Sequence, residues 1–250
     1  MSKTRVLKPE EDAFGQVLSA SFKGEEVYEI VERDDGYIDA MSVKGYFSEY
    51  KDWPVFEQQA VDLAKGKVLD IGCGAGRHSL YLQKKGLDVL GIDISPLAVE
   101  VCKQRGLKKA RQIPIDDLHR LRAGFFGTVL MMGNNFGLFA SLRKAKRLLK
   151  ELRRITTKGA FIMAFTRDPY ETQNPAHLEY HKRNKKRGRM GGQVRIRVRH
   201  GKYATRWFDY LMVSKEEMKQ VLDGTGWKIG EIKEPSDKSG SCYVAVIDRA

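Results

Sequence analysis

No apolar run in this 250-residue chain approaches the roughly 18 to 20 residues that a membrane span requires, so no membrane partner is expected. Cysteine is scarce. Cys73, Cys102 and Cys242 stand without metal-ligand spacing, which argues against a disulfide framework or a zinc cage, and no metal is expected. Internal repeats and low-complexity tracts are absent, which excludes a solenoid. The opening residues, MSKTRVLKPEED, lack the apolar centre of a secretory signal, and the expected compartment is the cytoplasm. Acidic residues are in the minority, 32 against 45 Lys and Arg, a net charge of +13 that favours contact with something anionic.

What is present is alternation. Residues 1–60 read as a mostly helical, aromatic-bearing lead-in with a polar turn at ERDDGYID. From residue 67 strand and helix patterns alternate: KVLDIG, then RHSLYLQKKG; DVLGIDIS, then a helix opened by Ser95 and Pro96; ARQIPI; FGTVLMMG; RKAKRLLKELRRIT; and GAFIMAF. Such alternation implies an α/β fold with a parallel sheet, helices on both faces and right-handed crossovers. SKEEMKQVLDGTGW carries a capping-box pattern, Ser214 with Glu217, before one more helix, and two strands close the chain.

The stretch KVLDIGCGAGRHSLYLQKKG turns on three glycines directly after the first strand of this alternation. A glycine turn there lets a ligand approach the backbone, and the following helix offers free amide groups. The dinucleotide fingerprint G-x-G-x-x-G fails by one position, because Arg77 stands where the third glycine belongs. A phosphate loop is excluded too, since no lysine and hydroxyl follow Gly76.

What remains, Asp70, Gly72, Cys73, Gly74 and Gly76 in DIGCGAG, resembles motif I of the class I S-adenosylmethionine-dependent methyltransferases. The resemblance covers residues 65–165 well and implies a Rossmann-like, seven-stranded, mostly parallel sheet whose last two strands form an antiparallel edge. It implies S-adenosylmethionine as cofactor and S-adenosylhomocysteine as product. It places Asp70 near the amino-acid moiety, Asp93 with Ile94 at the ribose, and Asp116 or Asp117 in IPIDDLHRL at the adenine amino group. Met132, Gly133 and Asn134, after the fourth strand, fall beside the methionine part, where nucleobase amino methyltransferases often carry an Asp/Asn-Pro-Pro-aromatic motif. Here Asn134, Asn135 and Phe136 stand there without prolines, and RDPYE at 167–171 follows the wrong strand. Tyr46 of the lead-in is the candidate cofactor cover.

Residues 61–250 then form the methyltransferase domain, with an insertion at about 167–212. Between Arg167 and Arg206 twelve basic residues face three acidic ones, so most of the chain's charge is local. EYHKRNKKRGRM reads as a basic helix unwinding at Gly188. QVRIRVRH alternates with period two, Arg195, Arg197 and Arg199 on one face and Val194, Ile196 and Val198 on the other, and forms a hairpin with ATRWFDYLMVS. As a lid, this insertion offers His177, Tyr180, Arg195, Trp207 and Tyr210 to an acceptor, with His181 the candidate base or positioning group. The reading is methyl transfer by in-line displacement to a small-molecule acceptor of anionic character. Two others stand beside it: an RNA methyltransferase tracking phosphates with residues 182–206, and a noncatalytic cofactor-binding interaction protein.

Overall fold

The computed structural model describes residues 7–237 and 240–250; the first six residues of the lead-in lie outside them. In chain order the regular elements are α1 (Ala13–Phe22), β1 (Tyr28–Arg33), β2 (Ile38–Ser42), α2 (Val55–Val61), β3 (Lys67–Ile71), α3 (Arg77–Lys84), β4 (Asp88–Asp93), α4 (Pro96–Gln104), β5 (Ala110–Gln112) and β6 (Phe126–Met131). There follow α5 (Leu142–Ile155), β7 (Thr156–Arg167), α6 (Pro175–Lys186), β8 (Gln193–His200), β9 (Tyr203–Ala204), β10 (Phe208–Leu211), α7 (Lys215–Leu222), β11 (Trp227–Lys233) and β12 (Cys242–Arg249).

Seven strands build the central sheet in the order β11-β12-β7-β6-β3-β4-β5. The pairings from β7 through β5 are parallel, and β12 and β11 run antiparallel at one edge. Both faces are covered, which is why the strands read as nearly continuous apolar runs. Leu69, Ile71, Val129, Met131, Ile162 and Ala164 pack on one side with Leu148, Leu149 and Leu152 of α5. The alternate residues Val68, Leu130, Met132 and Met163 pack on the other with Phe56, Ala60 and Leu82. The period-two split follows from the pleat. Chain direction across the sheet reverses between β3 and β6, the switch point where open parallel sheets take their ligands.

The lead-in departs from a mostly helical segment. After α1 it forms the β1–β2 hairpin, which turns at Asp34, Asp35 and Gly36, where Gly36 takes a φ of +89°. Strand β1 then pairs with β8 of the insertion, and the two remote segments build a second antiparallel sheet, β10-β8-β1-β2, with β9 alongside β8. The expected boundary near residue 60 thus runs through one structural unit. The strand character of YEIVER was hidden because two of its inward positions, Glu29 and Arg33, are charged yet buried.

Candidate active site

The glycine loop leaves β3 at Asp70, whose carboxylate accepts the Ser79 hydroxyl at 2.7 Å and is raised in pKa by burial. Gly72, Gly74 and Gly76 all take positive φ, between 54° and 80°. Gly72 has a second reason to be glycine: a Cβ there would lie 2.6 Å from Asn135 Nδ2. At Gly74 a Cβ would meet only the side chains of Tyr46 and Phe14, at 3.7 and 3.8 Å, so this backbone faces the lead-in and not the core. Cys73 is buried, its sulfur 3.8 Å from that of Cys102.

Asp93 closes the loop from β4. Its two oxygens accept the backbone N–H groups of Gly74 at 3.0 Å and Ser95 at 2.9 Å. Burial nonetheless pushes its pKa up to about 6, opposed by those two bonds. An ionised carboxylate retains further lone pairs beyond these two, as a ribose diol requires. Ile94 beside it is 46% exposed, an apolar surface on the loop where an adenine face would rest. The two carboxylates after β5 divide: Asp116 is held by Lys144 and Arg147 of α5 at 2.8 and 2.6 Å, whereas Asp117 is buried and lies 3.5 Å from Arg120. Asp116 is thereby committed to α5.

The loop after β6 supplies the opposite wall. Gly133 and Asn134 have φ of 63° and 67°; for a non-glycine residue the latter is uncommon. Asn135 donates from Nδ2 to the carbonyls of Ile71 and Gly72, at 3.0 and 2.8 Å, and so fixes this loop to the glycine loop. Asn134 Oδ1 and, at the end of neighbouring β7, Thr166 Oγ1 are buried without hydrogen-bond partners. Orphaned polar atoms of this kind at strand ends point to a polar ligand.

The second sheet roofs these walls. Tyr210 donates its hydroxyl to the Asn134 carbonyl at 2.5 Å, and its ring lies so close to Gly137 that a Cβ there would sit 2.1 Å from it. Tyr46 lies edge-on to Phe14 over the Gly74 backbone and donates its hydroxyl to Glu29 at 2.8 Å. Arg77, the residue that broke the dinucleotide fingerprint, ion-pairs with Glu57 and donates to the Gly45 carbonyl at 3.0 Å and Ser48 Oγ at 3.1 Å, pinning the segment that carries Tyr46. Glu29, Glu57 and Thr166 were missed from sequence; a charged residue inside a short strand or helix carries no spacing signal.

The other lid candidates divide by face. Register pairs Arg195 with Asp209 and, one residue on, Ile196 with Phe208, so Arg195 lies on the face opposite Tyr210. There Arg195 pairs with Asp209, Arg197 and Arg199 pair with Glu32, and Trp207 stacks on Arg197. Tyr180 donates to Asp34 at 2.7 Å, accepts the Arg195 backbone N–H and lies between the Arg33 and Arg183 guanidinium groups, so it fastens α6 to the sheet. His177 packs edge-on to Tyr37 and shares a hydrogen bond with Thr172. His181 is buried with Nδ1 unpartnered, and burial with the nearby charges of His177, Arg33 and Lys185 lowers its pKa to about 4. An imidazole so depressed is a poor proton acceptor at neutral pH.

Residues 69–164 match a family model described as a methyltransferase domain. A SAM-dependent methyltransferase from Bacteroides fragilis, solved with S-adenosylhomocysteine, superposes with a TM-score of 0.83 over 98% of each chain at 26% identity. The chain thus carries a methyltransferase domain at residues 69–164 and, over its whole length, the fold of a SAM-dependent methyltransferase. A SAM-dependent methyltransferase of Methanosarcina mazei shares the fold, with a TM-score of 0.57 over 73% of this chain and 91% of that one at 19% identity. Among curated relatives, the ubiquinone biosynthesis O-methyltransferase of Acinetobacter baumannii (strain AYE) is 39% identical over 82 residues, 30% of this chain. The aligned stretch spans 35% of that relative's length. No helix among the described residues is long and apolar enough to cross a membrane, and no cluster of potential metal ligands is found among them.

Proposed function

We propose that this methyltransferase transfers the methyl group of S-adenosylmethionine to a small-molecule acceptor held between the glycine loop and the second sheet. The observation that carries the reading is the roof: Tyr46, in the turn after β2, lies on the Gly74 backbone and Tyr210 of β10 binds the Asn134 loop, so both cofactor-side loops are covered from the side of the second sheet. Loops covered in this way suit a metabolite better than a polymer. S-adenosylmethionine supplies a sulfonium methyl that is already electrophilic. Asp93 and Ile94 would hold the ribose and adenine, Asp117 the adenine amino group, and Gly74, Asn134 and Asp70 the amino-acid end. The chain's task is then to align the acceptor for in-line displacement and exclude water.

An anionic acceptor is favoured by Arg167. It is exposed at the end of β7, and its side chain contacts the Cys242 sulfur at 3.8 Å without a carboxylate partner among the described residues. RNA is disfavoured as acceptor because the arginine face of β8 is already engaged by Glu32 and Asp209. The test is calorimetry with S-adenosylmethionine and S-adenosylhomocysteine, followed by labelled-methyl transfer into small-metabolite pools and structured RNA at two salt concentrations. Cofactor binding with label in small molecules supports the proposal. Label in RNA would replace the acceptor class, and cofactor binding without transfer to any acceptor would favour a noncatalytic protein.

A further inference from the structure

Glu29 is the buried carboxylate of the second sheet, on the face that the sheet turns toward the cofactor walls, and it is nearly unpartnered. It is 5% exposed, yet among the described residues its hydrogen bond from Tyr46 is its single polar contact and no cation pairs with it. A buried carboxylate normally gathers several donors, because losing water costs far more than one hydrogen bond returns. Its placement follows from register. Arg33 opposes Ile196 and Ile196 opposes Phe208, so stepping by two along β1 and β10 puts Glu29 on the same face as Tyr210. Both roof anchors meet that face: Tyr210 belongs to it and reaches the Asn134 loop, and Tyr46, in the turn after β2, binds Glu29 itself and lies on the Gly74 backbone. Burial above all raises the phenols of Tyr46 and Tyr210, and the charge of Glu29 lies close enough to add to both shifts. The loop that Tyr210 binds also carries the orphaned oxygen of Asn134, and the end of neighbouring β7 that of Thr166.

We infer that Glu29 is the proton acceptor of the reaction, so that the acceptor's nucleophilic atom arrives carrying a proton, as a hydroxyl or an N–H. The inference rests on the methyl-transfer reading above. In the step, a lone pair of the acceptor's oxygen or nitrogen forms the new bond to the methyl carbon. The carbon–sulfur bond breaks with its electron pair left on sulfur, and the acceptor's proton passes to the Glu29 carboxylate, which later releases it to water. Burial raises the Glu29 pKa against the opposing Tyr46 hydrogen bond, which makes the carboxylate a stronger base than an exposed one. Tyr46 keeps it oriented, with its ring fixed by Phe14 and the Gly74 backbone.

The test uses the full chain loaded with S-adenosylhomocysteine and titrated with phenol, which has a proton to donate, and anisole, which does not, read by saturation-transfer NMR. Wild type is expected to prefer phenol by about threefold or more, because a charge-assisted hydrogen bond is roughly twice as strong as a neutral one. Glu29→Gln should erase that preference while S-adenosylhomocysteine affinity stays unchanged. Equal binding of the two probes to wild type, absence of both, or a preference that survives Glu29→Gln would overturn the assignment. So would a folded Glu29→Gln chain that has lost the cofactor, which would place Glu29 in the cofactor site. Should Glu29→Gln not fold, Tyr46→Phe removes the hydroxyl that competes for the carboxylate and should strengthen phenol binding; no change would count against the proposal. A wild-type chain that fails to bind S-adenosylhomocysteine removes the methyl-transfer reading and this one with it, and the missing cofactor distinguishes that result from the others.

Discussion

Tyr210 of the insertion donates its hydroxyl to the backbone oxygen of Asn134 at 2.5 Å, a bond that fastens the roof to the loop after β6. Removing it by Tyr210→Phe leaves the ring on Gly137 but strips a partner from a carbonyl under the roof. Because the Gly137 N–H still donates to that carbonyl, such a loss costs about 0.5 to 1.5 kcal/mol. At about 2 to 4 °C per kcal/mol for a chain of this size, thermal unfolding should begin about 1 °C lower or more. S-adenosylhomocysteine should also dissociate several times faster, because the roof closes less firmly. An unchanged dissociation rate in stopped flow would show that Tyr210 serves stability alone.

On the proposed assignment, Asp93 gives the cofactor site a pH limit. With its pKa raised to about 6, by burial above all, it is ionised at neutral pH and becomes protonated between pH 6 and 5. The protonated acid loses charge and an acceptor position, so S-adenosylhomocysteine affinity should fall as pH drops below 6, approaching tenfold per unit if only the ionised form binds. The sign for stability is the reverse. A carboxyl whose folded pKa exceeds its ordinary value of 3.8 favours the fold below that value, and this contribution is lost as pH rises through 6. Calorimetry from pH 5 to 8 checks the binding limb, and Asp93→Asn should bind weakly throughout with a flat profile.

Gly74 and Gly72 should fail differently. Alanine at Gly74 meets only Tyr46 and Phe14 at ordinary contact distance, so its cost to folding is the left-handed backbone, roughly 1 to 2 kcal/mol. Its methyl group projects onto the face where the cofactor would approach, and affinity should fall at least tenfold in a folded protein. Alanine at Gly72 collides with Asn135 and Leu138 and should lower the unfolding temperature much further. A Gly74→Ala chain with wild-type affinity would move the cofactor elsewhere.

The central sheet and its helices were legible because each follows from a local rule: apolar runs between turns, and a glycine turn at a strand end. The capping box of Ser214 and Glu217 and the unwinding at Gly188 were legible for the same reason. The second sheet was only half legible. Val194, Ile196 and Val198 alternate cleanly, but their partner strand β1 turns Glu29 and Arg33 inward, and an inward charge erases the alternation from which a strand is read. A sheet joining residue 30 to residue 199 also leaves no trace in local pattern. The face of Trp207 and Arg195 was indeterminate until that pairing was known.

The arginine face therefore carries a specific expectation. Arg195 and Asp209 form a partly exposed pair on the face away from Tyr210. Exposed pairs of this kind contribute about 0 to 1 kcal/mol. Arg195→Ala should thus leave cofactor affinity and acceptor turnover near wild type, in contrast to Tyr210→Phe. A loss of turnover in Arg195→Ala comparable to that in Tyr210→Phe would mean that the outer face of the second sheet meets the acceptor.

Glu57 ties three elements together beneath the roof, and its ionisation should be visible in the acid stability of the whole chain. It is 2% exposed on α2, and it accepts hydrogen bonds from Arg77 and, at 2.6 Å, from His78 Nε2 at the start of α3. Burial opposes its ionisation, but the His78 hydrogen bond and the charges of His78 and Arg77 outweigh it and hold the pKa below its ordinary value of 4.5. A depressed carboxylate stabilises the fold above its unfolded pKa and loses that contribution as pH falls through the folded one. Glu57→Gln leaves the Arg77 guanidinium without its carboxylate, and breaking a buried pair in this way costs about 3 kcal/mol. Its unfolding temperature at pH 7 should therefore fall by roughly 6 to 12 °C, at the usual 2 to 4 °C per kcal/mol. As pH falls through the folded pKa, which lies below 4.5, the wild-type carboxylate also becomes neutral, and the two unfolding curves should converge. Scanning calorimetry of both chains from pH 3 to 8 measures the gap. A gap that stayed constant to pH 3 would mean that Glu57 contributes by shape and packing, and that Arg77 is held by Gly45 and Ser48 alone.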